Sequence, residues 1–246
     1  MISSKQQLRD ILLEFIDRMD SGGGSGHSGE IPKFDYYAFD YLEFAELNLQ
    51  KHHESNQVRE KENELISCLS NLKRALDCQM ECFLESWNIR KNFRKKNLGL
   101  DKKLSFLAEA GLFTSRTIHR FSKIRNKFEH EFQKPEVQDL EALFDLVTAF
   151  VAILQNAMMS GFLETHEMEI FDENEERLGG FYFEYDTEST TFTGTLNIRT
   201  EPPREETVSA SLSNPSEFAY FFKVLYLLNH LDSFASIDHI KAKLNI

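Results

Sequence analysis

Apolar residues recur at three- and four-residue steps through the first two thirds of the chain, the spacing that aligns them on one face of an α-helix. This pattern predicts helices over residues 3–19, 34–56, 58–88, 104–113, 114–133 and 136–163. The longest stripe contains Leu65, Cys68, Leu69, Leu72, Leu76, Met80, Phe83 and Trp87. A continuous stripe of this kind faces a protein core. We therefore predict a helical bundle over residues 34–165.

The pattern changes after residue 166, where apolar and polar residues alternate in four segments separated by turn-forming clusters. The segments are residues 167–171, 180–186, 190–200 and 206–212. A period of two is typical of strands that bury one face, and short separations favour antiparallel pairing. Helical patterns return over 215–231 and 236–245. The prediction is a mainly α protein, α+β overall, in which residues 166–246 form an antiparallel β-meander plus C-terminal helices.

The region before the bundle is predicted to hold one helix and a tether. The helix falls within residues 1–20, and residues 21–33 are predicted to be a flexible tether because 21–29 read SGGGSGHSG. Gly and Ser leave the backbone free and provide no apolar side chain to bury. A natural segment and an engineered insertion both have this composition, and the sequence leaves that choice open.

The sequence contains no pattern typical of a membrane span or a signal peptide. No unbroken run of about 18 apolar residues occurs, so no membrane span is predicted. The first helix carries charges throughout and lacks the basic start, apolar run and cleavage site of a signal peptide. We therefore expect a cytoplasmic location.

The three cysteines, Cys68, Cys78 and Cys82, fall on one predicted helix. An odd count without a secretion signal argues against a disulfide framework. Cys78 and Cys82 are one turn apart and could share a metal, but no CxxC pair or nearby His completes such a site. Buried thiols are the expected outcome, and neither a metal nor a cofactor is predicted.

Charge is distributed unevenly along the chain. The net charge of −12 would ordinarily argue against nucleic acid. Twelve basic and two acidic residues nevertheless lie between Arg90 and Lys127, so this stretch carries +10 and the remainder −22. A local basic surface on an acidic body suits phosphate binding; a solvated linker that balances acidic neighbours is the alternative. The candidate RNA-binding residues are Lys91, Arg94, Lys95, Lys96, Arg120, Lys123 and Lys127.

Within this stretch, the predicted helix over Ser115–Phe132 places polar groups beside its apolar face. At 100° per residue, one compact arc contains Phe121, Ile124, Phe128 and Phe132. The flank of that arc contains Arg125, Asn126, Glu129 and His130. Amphipathicity explains the phenylalanines but gives no reason for an Arg, an Asn and a His along one margin.

Metal-free cleavage of RNA gives such a reason. One group must take the proton of the ribose 2′-hydroxyl, another must donate to the leaving oxygen, and a cation must hold the phosphate. Imidazole exchanges protons near neutral pH, as His130 could. Guanidinium stays charged and grips phosphate oxygens with a planar fork, as Arg125 could. The amide of Asn126 could orient either partner.

Arg125-x4-His130, with Asn126 after the Arg, resembles the signature of HEPN domains. Residues 67–79, 102–113 and 129–151 are similar in texture to HEPN helices, and the resemblance covers about residues 36–165. It implies a helical bundle that usually dimerises, with two motifs lining one cleft. Many members are metal-independent endoribonucleases in toxin–antitoxin or antiviral defence systems.

Carried onto this chain, the resemblance implies that Arg125 contacts the scissile phosphate, that His130 is the general acid or base, and that Asn126 fills the polar position after the Arg. The implied partners are RNA, a second copy forming a homodimer, and a cognate antitoxin or sensor protein. A subgroup of toxins has a Tyr two residues after the His, where its antitoxin can modify it. Phe132 stands there in this chain, so that route of neutralisation is not expected.

Three alternatives remain open on the sequence. Arg125 and Glu129 could form an i,i+4 ion pair while His130 caps or packs at the helix end. The chain could also be a non-catalytic dimerisation or partner-binding module, or could bind RNA without cutting it. The acidic stretch over 167–176 could hold a metal, although such a run is commonly a solvated turn. We interpret the whole region over 166–246 as a dimerisation or partner surface. His166, His230 and His239 are assigned no role.

Overall fold

The chain combines a layer of helices with an antiparallel sheet around one shared hydrophobic core. The structure is a computed structural model. It describes residues 2–26, 31–95, 99–114, 116–118, 120–121, 123, 131, 139–159, 163–231 and 234–245. The predicted α+β class is confirmed.

The helical layer follows the apolar stripes of the sequence. Its elements are α1 (Ser4–Phe15), α2 (Ala38–Glu54), α3 (Val58–Ser86), α4 (Arg90–Lys95), α5 (Leu100–Glu109) and α6 (Leu140–Met159). Helices α2 and α3 are joined by three residues and pack along one another. Between them, Asn71 donates to Asn48 at 3.0 Å, and Asn48 donates to Glu64 at 2.6 Å. These bonds set the register of the pair because amide groups need partners where water is excluded.

Helix α6 packs against α3 with four fully buried residues, Val147, Phe150, Val151 and Leu154. By length and composition, α6 could also cross a membrane over Leu140–Met158, and it is one such helix in the described part of the chain. About a third of that window is buried in the protein. The sequence analysis predicted no membrane span because no unbroken apolar run occurs. In α6, Glu141 and Asp145 interrupt the run.

The sheet has five antiparallel strands in the order β1-β2-β3-β4-β5. Their bounds are β1 (Met19–Gly26), β2 (Leu163–Phe171), β3 (Arg177–Asp186), β4 (Thr191–Ile198) and β5 (Arg204–Ser211). Alternate residues of β3 are buried, as the period-two pattern predicts. The meander of four strands is confirmed. Its polar face is turned away from the helices.

A fifth strand replaces part of the predicted tether, so the prediction of a flexible segment is wrong for residues 21–26. Backbone bonds pair Met19 with Ile170 and Gly24 with His166, and the Ser25 amide donates to the Thr165 hydroxyl at 2.7 Å. A strand needs only main-chain donors and acceptors, which Gly and Ser supply as well as any residue. The first helix ends at Phe15, followed by a 3₁₀ turn over Ile16–Arg18. Residues 27–30 lie outside the described part.

The last two helices, α7 (Pro215–Leu228) and α8 (Ile237–Leu244), complete the core. Helix α7 lies between the sheet and the helical layer. Its Phe221 ring lies 6.0 Å from Phe183 of β3, whereas its Phe222 ring lies 4.7 Å from Trp87 beyond α3. Aromatic side chains thus fill the space between the two layers, which accounts for the high phenylalanine content.

Candidate nucleic-acid interface

The proposed catalytic residues Arg125, Asn126 and His130 lie outside the described residues, as do Lys96 and Lys127. The residues just before them are described in part. Residues 116–118, 120–121 and 123 are helical. Ile118 and Phe121 are buried, whereas Arg120 and Lys123 are exposed. The start of the predicted helix over 114–133 therefore has the expected phase, with apolar residues inward and cations outward.

The stretch between the predicted helices over 58–88 and 104–113, which could have been a solvated basic linker, is largely helical in its described part. Helix α4 covers Arg90–Lys95, and α5 begins at Leu100. Phe93 anchors α4, because its ring is buried and lies 5.4 Å from Phe106 of α5. The candidate residues Lys91, Arg94 and Lys95 are exposed on the opposite side of this short helix.

Glu81 of α3 neutralises part of this basic stretch. Its carboxylate accepts from Arg90 Nε at 2.6 Å, from Arg94 Nη2 at 2.9 Å and from Lys103 Nζ at 2.7 Å. Burial by itself would raise the pKa of Glu81, but the bonds from Lys103 and Arg90 outweigh it and lower the pKa to about 2. Arg90 and Lys103 are therefore structural cations. For Arg94, whose side chain is 62% exposed, one bond to Glu81 leaves most of the guanidinium accessible.

Lys91, Lys95 and Lys102 are among the cations that remain for an outside partner. All three are exposed, and the described part of the chain supplies no ion pair to any of them. The described cations of the basic stretch thus form two groups. One group balances acidic neighbours, as the linker alternative held, and the other group faces solvent.

A cavity of about 390 Å³ lies near α4, and nothing in the sequence pattern indicated it. It opens between the segment before α2 and the exposed side of α3. Its lining contains Phe34, Asp35, Tyr36, Tyr41, Arg74, Asp77, Cys78 and Glu81. The Arg74 guanidinium lies 6.0 Å from the centre of the Tyr41 ring. Glu81 belongs both to this lining and to the cluster of cations, so the cavity and the basic surface adjoin.

The cysteines next to this cavity are free. The Cys78 thiol donates to the Tyr36 carbonyl oxygen at 3.8 Å. A hydrogen bond with Cys82 raises the pKa of Cys78 and lowers the pKa of Cys82, with burial opposing the second effect. Cys68 and Cys82 are buried, as expected. The described residues contain no group of three potential metal ligands.

The acidic stretch over 167–176 divides between a strand and a turn. Glu167 and Glu169 lie on the open face of β2, where a second cavity of about 240 Å³ has a floor that includes Gly22 and Gly180. Asp172 closes the following turn by accepting from the amides of Asn174 at 2.8 Å and Glu176 at 2.9 Å. These bonds, led by that from Glu176, lower the pKa of Asp172. The turn itself therefore matches the solvated-turn interpretation.

His166, which the sequence left without a role, faces the core from β2 and is 3% exposed. Its Nε2 atom has no hydrogen-bond partner among the described residues. Burial lowers the pKa of His166 to about 4, so the ring is neutral at physiological pH. The alternation that buries Met168 and Ile170 extends to position 166, and that register could have identified a core histidine.

Comparisons with protein-family models, curated proteins and solved structures found no match.

Proposed function

We propose that this protein is a metal-independent, HEPN-like endoribonuclease that acts as a homodimer in the cytoplasm, in a toxin–antitoxin or antiviral defence setting. The observation that carries the proposal is the cationic side of the residue 116–123 region, where Arg120 and Lys123 are exposed beside buried Ile118 and Phe121. The same orientation of apolar and polar residues is assumed in the predicted helix over Ser115–Phe132, which places Arg125 and His130 beside the apolar arc.

Exposed lysines on α4 and α5 support binding of the RNA backbone. Lys91, Lys95 and Lys102 carry charges that no described carboxylate neutralises. Each lysine that contacts a phosphate releases counterions, which makes the affinity depend on salt. The net negative charge of the rest of the chain disfavours contact of an extended RNA backbone with most other parts of the surface.

The aromatic cavity beside α4 supports binding of unpaired bases. Tyr36, 52% exposed, stands with Phe34 and Tyr41 in the lining. Aromatic rings stack on bases with little sequence preference. Asp35 and Asp77 in the same lining repel phosphates but can accept hydrogen bonds from the amino groups of bases. We therefore assign phosphates to α4 and bases to the cavity.

In the proposed reaction, His130 exchanges the proton of the ribose 2′-hydroxyl or of the leaving 5′-oxygen, and Arg125 stabilises the developing charge on the phosphate. Asn126 orients one of these groups. Attack by the 2′-oxygen breaks the bond to the 5′-oxygen and leaves a 2′,3′-cyclic phosphate. A second copy of the chain completes the cleft.

The exposed side of α6 supports the homodimer. Ala149, Ala152 and Ile153 face solvent there, and Ile153 is 39% exposed. Small apolar side chains allow two helices to approach closely. Light scattering coupled to gel filtration measures the mass of the assembly, and a monomer at micromolar concentration contradicts this part of the proposal.

The decisive experiment compares wild type with His130→Ala on a mixed RNA pool in the presence of a chelator. Cleavage by wild type and its loss in the variant are expected. His239→Ala is the matched control, because His239 lies exposed on α8 and only its backbone amide, which donates to the capping Ser236 hydroxyl, takes part in the helix cap. Equal cleavage by wild type and His130→Ala overturns the assignment.

One observation favours a second candidate, an RNA-binding or partner-binding module without catalysis. The bonds from Arg90 and Lys103 to Glu81 show that part of the basic stretch serves folding. Such a module would bind RNA or an antitoxin or sensor protein with equal affinity before and after His130→Ala, and would release no RNA fragments at any protein concentration.

A further inference from the structure

Two lysines from distant parts of the chain lie against one tyrosine ring. Tyr220 lies buried on α7, and its hydroxyl donates to the Leu244 carbonyl oxygen at 2.9 Å. The Lys5 Nζ of α1 lies 4.7 Å from the centre of this ring, and the Lys223 Nζ of α7 lies 5.8 Å from the same point. Lys243 precedes Leu244 on α8, and its ammonium group is close enough to Lys223 to lower the pKa of that lysine.

Lys223 is an unusual residue to bury. Its side chain is 8% exposed, and its stem passes within 3.4 Å of the position that a Cβ atom would occupy at Gly111. Lysine is almost never buried without a partner of opposite charge. Burial first, then repulsion from Lys5 and Lys243, lowers the pKa of Lys223. Among the described residues, no carboxylate offsets these effects.

Two carboxylates on or just after α1 bind other cations. Asp10 of α1 pairs with Arg9 at 3.2 Å. Asp17 pairs with Lys241, two residues before Lys243 on the same helix, at 2.6 Å. In the described part of the chain, Lys5, Lys223 and Lys243 have neither an ion pair nor a hydrogen bond from their ammonium groups. This is unexpected in a protein with 40 acidic and 28 basic residues.

The contact with Tyr220 explains this arrangement only in part. A ring attracts an ammonium group weakly compared with the cost of removing that group from water. Two ammonium groups at one ring also repel each other, and a third at Lys243 adds to the repulsion. Bringing three such charges together is favourable when an anion with several oxygens binds between them.

We propose that Lys5, Lys223 and Lys243 form a binding site for a compact polyphosphate group, either inorganic or carried by a nucleotide. Lysine binds phosphate as a point charge, and three lysines match the charge of a terminal diphosphate. Because only 8% of Lys223 is exposed, we expect a compact terminal group to reach it more readily than the continuous backbone of RNA. The site is formed by α1, α7 and α8, and it does not depend on the proposed nuclease activity.

Isothermal titration calorimetry at constant ionic strength tests the site with pyrophosphate, ATP, sulfate and a single-stranded RNA. We expect pyrophosphate, ATP or both to bind more tightly than sulfate. Binding of pyrophosphate alone identifies a free anion as the ligand, and binding of ATP identifies a nucleotide source. In Lys223→Met, which keeps the stem and removes the charge, affinity should fall by about tenfold or more.

Lys241→Gln is the matched control, since this lysine lies on the same helix but is paired with Asp17. Its affinity should equal that of wild type. Lys223→Met should melt at or above the temperature of wild type without ligand, because a buried charge is removed. Should that variant fail to fold, Lys5→Gln and Lys243→Gln test the same loss of binding at positions that are more exposed.

Three results overturn the proposal. The first is wild-type affinity for pyrophosphate and ATP no greater than that for sulfate. The second is equal affinity in Lys223→Met and Lys241→Gln. The third is binding of RNA alone at these lysines, which would extend the nucleic-acid surface and leave no separate polyphosphate site.

Discussion

The Tyr185 hydroxyl donates a hydrogen bond to the carbonyl oxygen of Trp87 at 2.7 Å, which joins β3 to the end of α3. The two rings also lie 5.5 Å apart, and both residues are buried. Burial raises the pKa of Tyr185, so its proton remains available for this bond. The contact fixes the sheet on the helical layer at the residues that lead into α4, the helix that presents the exposed lysines.

Removing this hydroxyl should destabilise the protein without emptying the core. Tyr185→Phe keeps the ring and leaves a buried carbonyl oxygen without its donor, at an expected cost of about 1–2 kcal/mol in the free energy of unfolding. Urea denaturation measures the difference. Tyr36→Phe is the control, because Tyr36 is half exposed and its stability effect should be near zero. Equal midpoints for the two variants would contradict the structural role of the bond.

Glu81 should control both the stability and the acid sensitivity of the α3–α4 region. Glu81→Gln removes the charge that Arg90, Arg94 and Lys103 share, and we expect a loss of about 2 kcal/mol at pH 7. The pKa of Glu81 falls from 4.5 to about 2 on folding. Its contribution is therefore complete above pH 4.5 and is lost as the pH falls towards 2.

Stability curves between pH 2 and pH 7 test this sign. Wild type should lose stability relative to Glu81→Gln across that window. Glu85→Gln serves as the control, since Glu85 binds Arg90 alone, at 3.1 Å, and should have a smaller effect. A difference between wild type and Glu81→Gln that stays constant with pH would exclude the carboxylate as its source.

His166 should make the fold sensitive to mild acid in a different window. The pKa falls from 6.5 to about 4 on folding, so protons bind the unfolded chain more tightly. The contribution of neutral His166 to the free energy of unfolding is therefore complete above pH 6.5 and is lost as the pH falls towards 4. At pH 5 the loss is about 2 kcal/mol relative to pH 7.5.

His166→Leu should remove that loss, because leucine fills a similar volume and takes no proton. Thermal melting at pH 7.5 and pH 5 measures it, with His239→Leu as a control on the surface of α8. The prediction fails when His166→Leu and wild type lose the same stability between the two pH values.

The division of the basic stretch gives a prediction about RNA. The double substitution Lys91→Ala with Lys95→Ala should weaken RNA binding at low salt and reduce the slope of log affinity against log salt by about 1.4, the value for two phosphate contacts to a single strand. Lys103→Met should lower stability and leave the slope unchanged, because Lys103 binds Glu81. Fluorescence anisotropy with labelled RNA measures both. A reduced slope in Lys103→Met alone would reverse the assignment.

Local periodicity was sufficient to place most elements. The stripe predicted over 58–88 corresponds to α3 at Val58–Ser86, and the alternating segments correspond to β2–β5. The Arg-x4-His motif, in contrast, remains a prediction that rests on its spacing and its resemblance. The helical phase at Ile118 and Phe121 is the part of that segment that the described residues bear out.

Strand β1 shows where such patterns stop being informative. Its sequence MDSGGGSG has no apolar alternation, and its partner strand lies about 140 residues away in sequence. Pairing depends on an open edge of β2 that only the folded sheet provides. Gly22 allows the close approach of the two strands, because a Cβ atom at this position would lie 3.1 Å from the Glu167 carbonyl oxygen.

By itself the sequence determined most of the helices and strands and showed that positive charge is concentrated between residues 90 and 127, because both follow from near neighbours along the chain. Only the tertiary structure decided which charges are balanced. Glu81 neutralises Arg90 and Lys103, while Lys5 and Lys223 meet at Tyr220 and are paired with no carboxylate of the described ranges. Ion pairing and desolvation depend on distance through space, and folding alone brings residues so far apart in sequence within a few ångströms.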